Sequence, residues 1–228
     1  MKTVLVAEAW GRFEAQFQHA LVGPSGRELT LEIGIAGLAP YMTLRCRRCK
    51  QETRYTVPRC EHCQEHVWPN EFDLIAHWKR LRNEHQIAVT NVFNTRPSAD
   101  SNDLGHLFGT EPQTIMPSWK ASKKLGGSHL RAEHFHHVQR LWQELGSLGP
   151  NLVIALGNAA CWALLGQTKI TALRGTVSMT NAELTGLGLK VLPTFHPAAA
   201  LRGGGVVLAQ MRADFVRAKR LLAGMDPR

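Results

Sequence analysis

Four of the five cysteines stand as two C-x2-C pairs, Cys46 with Cys49 and Cys60 with Cys63, ten residues apart. Each pair can grip a metal ion from a tight knuckle turn, and together they supply the four thiolates of a zinc-ribbon site. The residues between them, 53–57 above all, alternate as a short hairpin that would bring the knuckles together. No coordination position stays open, so the metal's role is structural. Two disulfides are the competing reading, but a cytosolic chain seldom keeps them. Other chemistry needs side chains elsewhere. Glu8 ends the apolar run of residues 3–7, and Gly23-Pro24-Ser25-Gly26 places two glycines before an apolar periodic run, where helix-start amides could face a phosphate. Asn91 and His196 each end another apolar run. Taken alone, an Asn at a strand end reads as a cap or turn residue, and a single His there as a bystander.

An open α/β sheet would position these groups. Residues 3–7 read as a buried parallel strand that delivers Glu8 to the sheet's carboxyl edge, where such sheets bind ligands. Residues 29–38 have helical spacing and stop at Gly37 and Pro40. Residues 70–83 are helical through Phe72, Ile75, Trp78 and Leu81, with Lys79, Arg80 and Arg82 on the outer side. A second strand runs through residues 87–97. Residues 98–128 lack periodicity and form a long loop, in which Trp119, Lys120, Lys123 and Lys124 combine charge with a stacking face suited to nucleic acid. Leu130, Phe135, Val138, Leu141, Trp142 and Leu145 make an amphipathic helix, so His129, His134, His136 and His137 read as solvated or capping groups rather than metal ligands. A third strand spans 151–157 and a helix 158–165, with Cys161 as packing. Residues 177–179 and 190–193 read as strands, and a closing helix over 206–222 turns Arg212, Arg217, Lys219 and Arg220 toward solvent or DNA.

Four segments carry a family resemblance. Ala7-Glu8-Ala9-Trp10-Gly11 followed by Ala20-Leu21-Val22-Gly23-Pro24-Ser25-Gly26 resembles, without insertion or deletion, the first motif of the uracil-DNA glycosylase superfamily in its family 4 form, G-E-A-P-G and P-F-V-G-x-x-G. Thr90-Asn91-Val92 with Arg96-Pro97 resembles T-N-V-x-x-x-R-P. Residues 156–166 and 173–175 match L-G-x-x-A-x-x-x-L-L-G and L-R-G, and residues 193–202 resemble P-T-x-H-P-S/A-x-x-L-R. The resemblance implies a three-layer α/β/α fold on a central parallel four-stranded sheet. It covers nearly the whole chain except the cysteine insert and residues 98–128.

The resemblance also implies roles. His196 would donate to the base oxygen on which charge develops, Glu8 would position water and stabilise the cationic sugar, with Glu14 a second candidate, and Asn91 would read the base's Watson–Crick edge. Leu21, Trp10 and Gly11 would line the base pocket. Gly23, Ser25, Lys123, Lys124, Leu201 and Arg202 would meet DNA, the last two bracing the gap left by a flipped nucleotide. Trp10 and Ala20 replace prolines, and Leu21 replaces the stacking aromatic. These changes keep open a bulkier substrate, such as a modified pyrimidine in phage DNA, beside uracil; a DNA-binding module without catalysis is the rival class. The crosslinking branch's K-R-R-I-H loop has no counterpart here. Family 4 enzymes hold a four-iron cluster partly on cysteines before the first motif, whereas no cysteine here precedes Cys46; zinc at Cys46, Cys49, Cys60 and Cys63 is expected instead.

Length and composition agree. The 228 residues suit one α/β domain over 1–228 with a zinc-ribbon-like insertion at 44–67. The net charge of +9 favours a polyanionic partner, here DNA, and the six basic residues between Arg45 and Arg59 against the acid Glu52 could touch phosphates. No run approaches a membrane span or a signal peptide. A monomer in the cytoplasm, associated with the nucleoid through DNA, is expected.

Overall fold

In the computed structural model, which describes residues 1–98, 103–111 and 124–225, the chain opens with β1 (Thr3–Ala9), α1 (Arg12–Phe17) and α2 (Pro24–Ile35). A hairpin of β2 (Thr43–Arg45) and β3 (Glu52–Arg54) leads to α3 (Glu71–Asn83) and β4 (Ile87–Phe93). Three short strands follow, β5 (Phe108–Gly109), β6 (Lys124–Leu125) and β7 (Ser128–Leu130), then α4 (Phe135–Leu148), β8 (Leu152–Leu156) and α5 (Asn158–Leu165). The chain closes with α6 (Ile170–Leu173), β9 (Ser178–Met179), α7 (Ala182–Thr185), β10 (Lys190–Thr194) and α8 (Pro197–Leu222). The main sheet has the order β4-β1-β8-β10-β9. Its first four strands are parallel, and β9 pairs antiparallel at the edge.

Side-chain alternation along the buried strands sets the layers. On one face Leu5, Ala7, Ile154 and Leu192 pack against Leu29 and Ile33 of α2, Trp78 of α3 and Phe215 of α8. On the other, Val4, Val6, Val153 and Val191 pack against Val138 and Leu141 of α4 and Trp162 of α5. Both faces are dry, which is why the strands read as unbroken apolar runs. The expected α/β/α arrangement on four parallel strands is present, with β9 as a fifth strand.

Several boundaries differ from the sequence reading, each for a local reason. Helix α2 starts at Pro24 with Gly23 as its N-cap, ahead of the apolar periodicity, because proline at the first position is already set for a helix. The ribbon hairpin does not lie between the knuckles: β3 pairs back across the first knuckle onto β2, Leu44 opposite Thr53, and the bridge Arg59–His66 spans the second. Asn70 caps α3 in a reciprocal box with Asp73, but its apolar face is Leu74, Trp78 and Leu81, and Phe72 is 69% exposed. Leu130 lies on β7 and not on α4. Part of the long loop is ordered as a 3-10 turn at Leu104–Leu107 and the sheet β5-β7-β6. Helix α8 begins at Pro197, before the glycines that interrupt it; only Gly204 leaves helical geometry, at φ 70.

Candidate active site

The carboxyl ends of β1, β4 and β10 converge on one open cavity of about 510 Å³. The chain passes from β1 to β4 on one side and then to β8 on the other, so the cavity lies at the switch in strand order where open sheets bind ligands. Glu8, Trp10 and Gly11 reach it from the end of β1, Asn91 from β4, Leu21 and Ser25 from the start of α2, and His196 and Arg202 from the start of α8. Pairing of Ala7 with Asn91 sets Asn91 level with the residue before Glu8.

His196 caps α8, its Nδ1 accepting the Ala198 N–H at 3.2 Å. An acceptor at Nδ1 leaves the ring proton on Nε2. Burial, helped by the Arg202 charge, lowers the His196 pKa to about 4, so the ring is neutral at physiological pH. The site therefore holds a neutral imidazole with a single donor. Burial raises the Glu8 pKa; Arg202 opposes the shift and Asp103 adds to it. Asn91 is 1% exposed, and its Oδ1 has no hydrogen-bond partner among the described residues. A buried unsatisfied acceptor on a cavity wall points to a ligand donor. Leu21 is buried in the left-handed region at φ 57, and its carbonyl accepts the Trp78 Nε1–H at 3.0 Å.

The model for the uracil DNA glycosylase superfamily matches residues 1–220. The chain belongs to the uracil-DNA glycosylase superfamily. No curated protein matches it significantly. Membership supports a glycosylase-type function acting on DNA. Among the described residues no helix is long and apolar enough to cross a membrane.

Of the other expected residues in this glycosylase-like frame, Glu14 lines the same cavity, where it accepts the Val22 and Gly23 amides at 3.1 and 2.9 Å. Its carboxylate thus occupies the helix-start position read as a phosphate cradle, and the Gly23 amide is not turned outward. Leu201 is 52% exposed, one residue before Arg202. Lys123, with Trp119 and Lys120, lies outside the described residues; Lys124 opens β6, and its side chain is likewise outside the description. His137 is not a solvated group: it packs edge-on to Phe93, and burial with the neighbouring His136, His134 and Arg140 lowers its pKa to about 4. Arg212 and Arg217 are engaged within the fold rather than free, although Arg212 keeps 40% of its side chain in solvent. Arg212 makes a two-pronged pair with the buried Glu32 at 2.7 and 2.8 Å, clamping α8 to α2, and Arg217 donates to the Gly175 carbonyl.

A second set of residues, not singled out from sequence, positions His196. Buried Asp214 accepts Thr194 Oγ1 at 2.6 Å and Arg174 at 2.7 and 3.2 Å, and the Arg174 guanidinium lies 5.6 Å from the Phe195 ring centre. Arg174 is the arginine of the L-R-G element, so that motif fixes the strand end that carries His196. Gly157, at φ 87, would bring an added Cβ to 3.1 Å from His196 Cβ. The signal for Asp214 was present in the sequence: it shares the helical stripe of Met211, Phe215 and Ala218, and a carboxylate on a buried stripe needs a partner.

The four cysteines are positioned to bind a metal ion. Their sulfurs all lie within 4.8 Å of one another, with Cys46–Cys63 and Cys49–Cys60 at 3.6 Å. The knuckles repeat each other. The Lys50 amide reaches back to the Cys46 carbonyl and the Gln64 amide to the Cys60 carbonyl, and both Lys50 and Gln64 are left-handed at φ 61 and 59.

Proposed function

We propose that this protein is a monofunctional DNA glycosylase that hydrolyses the N-glycosidic bond of a flipped pyrimidine and leaves an abasic site. One observation carries the reading: Glu8, Asn91 and His196, far apart in sequence, line a single cavity in which His196 is neutral and protonated at Nε2. As the bond between C1′ and the base nitrogen breaks, the electron pair leaves with the base. The His196 Nε2–H donates to the base oxygen on which that charge collects. Glu8 as carboxylate stabilises the cationic sugar, orients the water whose oxygen bonds to C1′ and accepts the proton that this water loses, while the released base anion takes up a proton from solvent. The Asn91 amide offers both an acceptor and a donor to the Watson–Crick edge. Arg202 on the cavity wall and the exposed Leu201 before it fill the gap in the stack.

A second reading, a bulky modified pyrimidine as substrate, is favoured by Leu21 and by a further cavity of about 370 Å³ that shares Glu8 and is lined by Asp103, Phe108, Ser128 and Asn158. In that reading the enzyme acts against phage DNA rather than in uracil repair. The deciding experiment is a panel of oligonucleotides, each with one uracil or modified pyrimidine, scored for alkali-labile sites. Release of no base from any member overturns both readings and returns the chain to a binding module.

We further propose that the cysteine site holds one structural zinc ion. A tetrahedral ion with Zn–S bonds of about 2.3 Å sets its sulfurs about 3.8 Å apart, and the sulfurs here fit that spacing. A four-iron cluster gives each thiolate its own iron and needs wider separation.

A further inference from the structure

A second cleft, of about 410 Å³, lies between the cysteine ribbon and the start of α3. Its wall carries Arg45, Arg47, His66 and Trp68 from the ribbon side and Arg27 from α2, against the single acid Asp73. Asp73 is engaged in the α3 cap, and Arg27 is held by Glu71 at 2.9 Å. The ribbon distributes its remaining charge unevenly. Of the basic residues that do not line the cleft, Arg48 and Arg54 pair with Glu65 and Glu61, while Lys50 and Arg59 donate to the backbone carbonyls of Arg47 and Gln64. Arg45 and Arg47, which line it, pair with no carboxylate among the described residues. Arg45 is braced instead through Nε on the Lys50 carbonyl at 3.1 Å.

Trp68 adds an aromatic face to this positive wall. It is 56% exposed although its neighbours Val67 and Pro69 are buried, and its edge rests on Tyr55 at 6.4 Å between ring centres. The backbone is therefore pinned while the indole stands in water. Unpaired arginines beside an exposed, braced aromatic ring match a nucleic-acid strand, whose phosphates need cations and whose splayed bases need a stacking surface. In a duplex the bases are already stacked and would not use the ring.

The cleft and the active-site cavity flank the first turn of α2. Ser25 lines the cavity and Arg27 the cleft; they are about 3 Å apart along the helix axis and about 200° apart around it, so a strand joining the two sites passes around the start of the helix. Phe17 of α1 packs edge-to-face on the exposed Phe72 of α3 with ring centres 5.3 Å apart, which ties α1 to the start of α3. We propose that the ribbon cleft binds a single-stranded flank of the DNA whose target base occupies the active-site cavity, its phosphates on Arg45 and Arg47 and a base on Trp68. The cleft is then a second DNA-binding site, and single-stranded or unwound DNA is the substrate form it selects. The inference rests on the glycosylase reading for the position of the strand, but not for its own test.

That test is binding, with the full zinc-loaded chain and fluorescent single-stranded oligonucleotides of increasing length, beside a duplex of the same sequence. Affinity for the long single strand is expected to fall roughly 5- to 150-fold in Trp68→Ala, as for loss of one stacked base, and to recover largely in Trp68→Phe. Arg45→Ala with Arg47→Ala should flatten the salt dependence by about 0.7 in slope per lost phosphate contact. Duplex binding should change much less. Metal content and circular dichroism establish that each variant is folded. Folded variants with unchanged affinity and slope would overturn the proposal, as would an acidic peptide that competes as well as the oligonucleotide. If no base is released from any substrate but the dependence on Trp68 persists, the catalytic reading fails and the cleft stands as a strand-binding site.

Discussion

His196 caps α8 and is proposed to serve the chemistry as well, and one substitution can separate the two roles. Its Nδ1 caps α8 by accepting the Ala198 N–H, while Nε2 carries the proton proposed to meet the departing base. Asparagine is among the best N-cap residues, so His196→Asn should keep the cap while its shorter amide cannot take the place of the Nε2–H. Loss of one donor to a developing anion slows such reactions by about 100- to 1000-fold. His196→Ala should lose the same rate and also the cap, about 1 kcal/mol of stability. For a chain of this size that is a fall in melting temperature of roughly 2–4 °C. The assay is single-turnover excision with enzyme in excess, beside a thermal melt and a direct measurement of DNA affinity. Both variants should bind DNA as the wild type does, because the charge that His196 meets appears only in the transition state. A His196→Asn protein that excises within a few-fold of wild type would refute the role assigned to Nε2. A loss confined to affinity would move His196 from the chemistry to binding.

Acid should switch off excision through Glu8. Its pKa is raised by burial and by Asp103, so the ionised form is lost as pH falls through a value above the ordinary 4.5. His196, at about 4, stays neutral over that range. A single-turnover pH profile should therefore show an acid limb and no break near 6.5, and Asp103→Asn should move the limb to lower pH. Metal analysis should find about one zinc per chain, and Cys46→Ser should harm folding more than chemistry; iron with sulfide would contradict the assignment. Asp214→Ala strips Thr194 and Arg174 of their shared acceptor. Breaking a buried pair costs about 3–5 kcal/mol, and since Arg174 keeps one edge in water a loss near 3 kcal/mol is expected, with a slower excision rate that His196→Ala does not further compound. Leu21→Phe should gain about 1–3 kcal/mol of stacking on the flipped base and shift preference from bulky pyrimidines toward uracil in a competition assay. The left-handed backbone at this position strains both side chains alike. Unchanged selectivity would move attention to Trp10.

Local pattern carried much of this protein. Unbroken apolar runs bounded by polar residues placed all four parallel strands, because a strand buried on both faces has no polar side to alternate. Two C-x2-C pairs placed the metal site, because each knuckle is a local turn whose geometry needs only its own few residues. Resemblance of four motifs then led to Glu8, Asn91 and His196. Tertiary structure alone decided what those residues can do. The Glu14 carboxylate fills the amide cradle at α2, a contact set by how α1 packs back on the following turn and not by anything in the glycine spacing. The sequence offered Arg212 and Arg217 as surface cations, and only the packing of α8 on α2 and on the loop at Gly175 gave them partners, the buried Glu32 and the Gly175 carbonyl. The neutrality of His196 and its tautomer depend on burial, on Arg202 and on the Ala198 amide, and its placement on Asp214 eighteen residues further on. Helical and strand periods are local properties of a chain. Desolvation and long-range hydrogen bonds arise only when distant segments meet, and these give the site residues their charge state and direction.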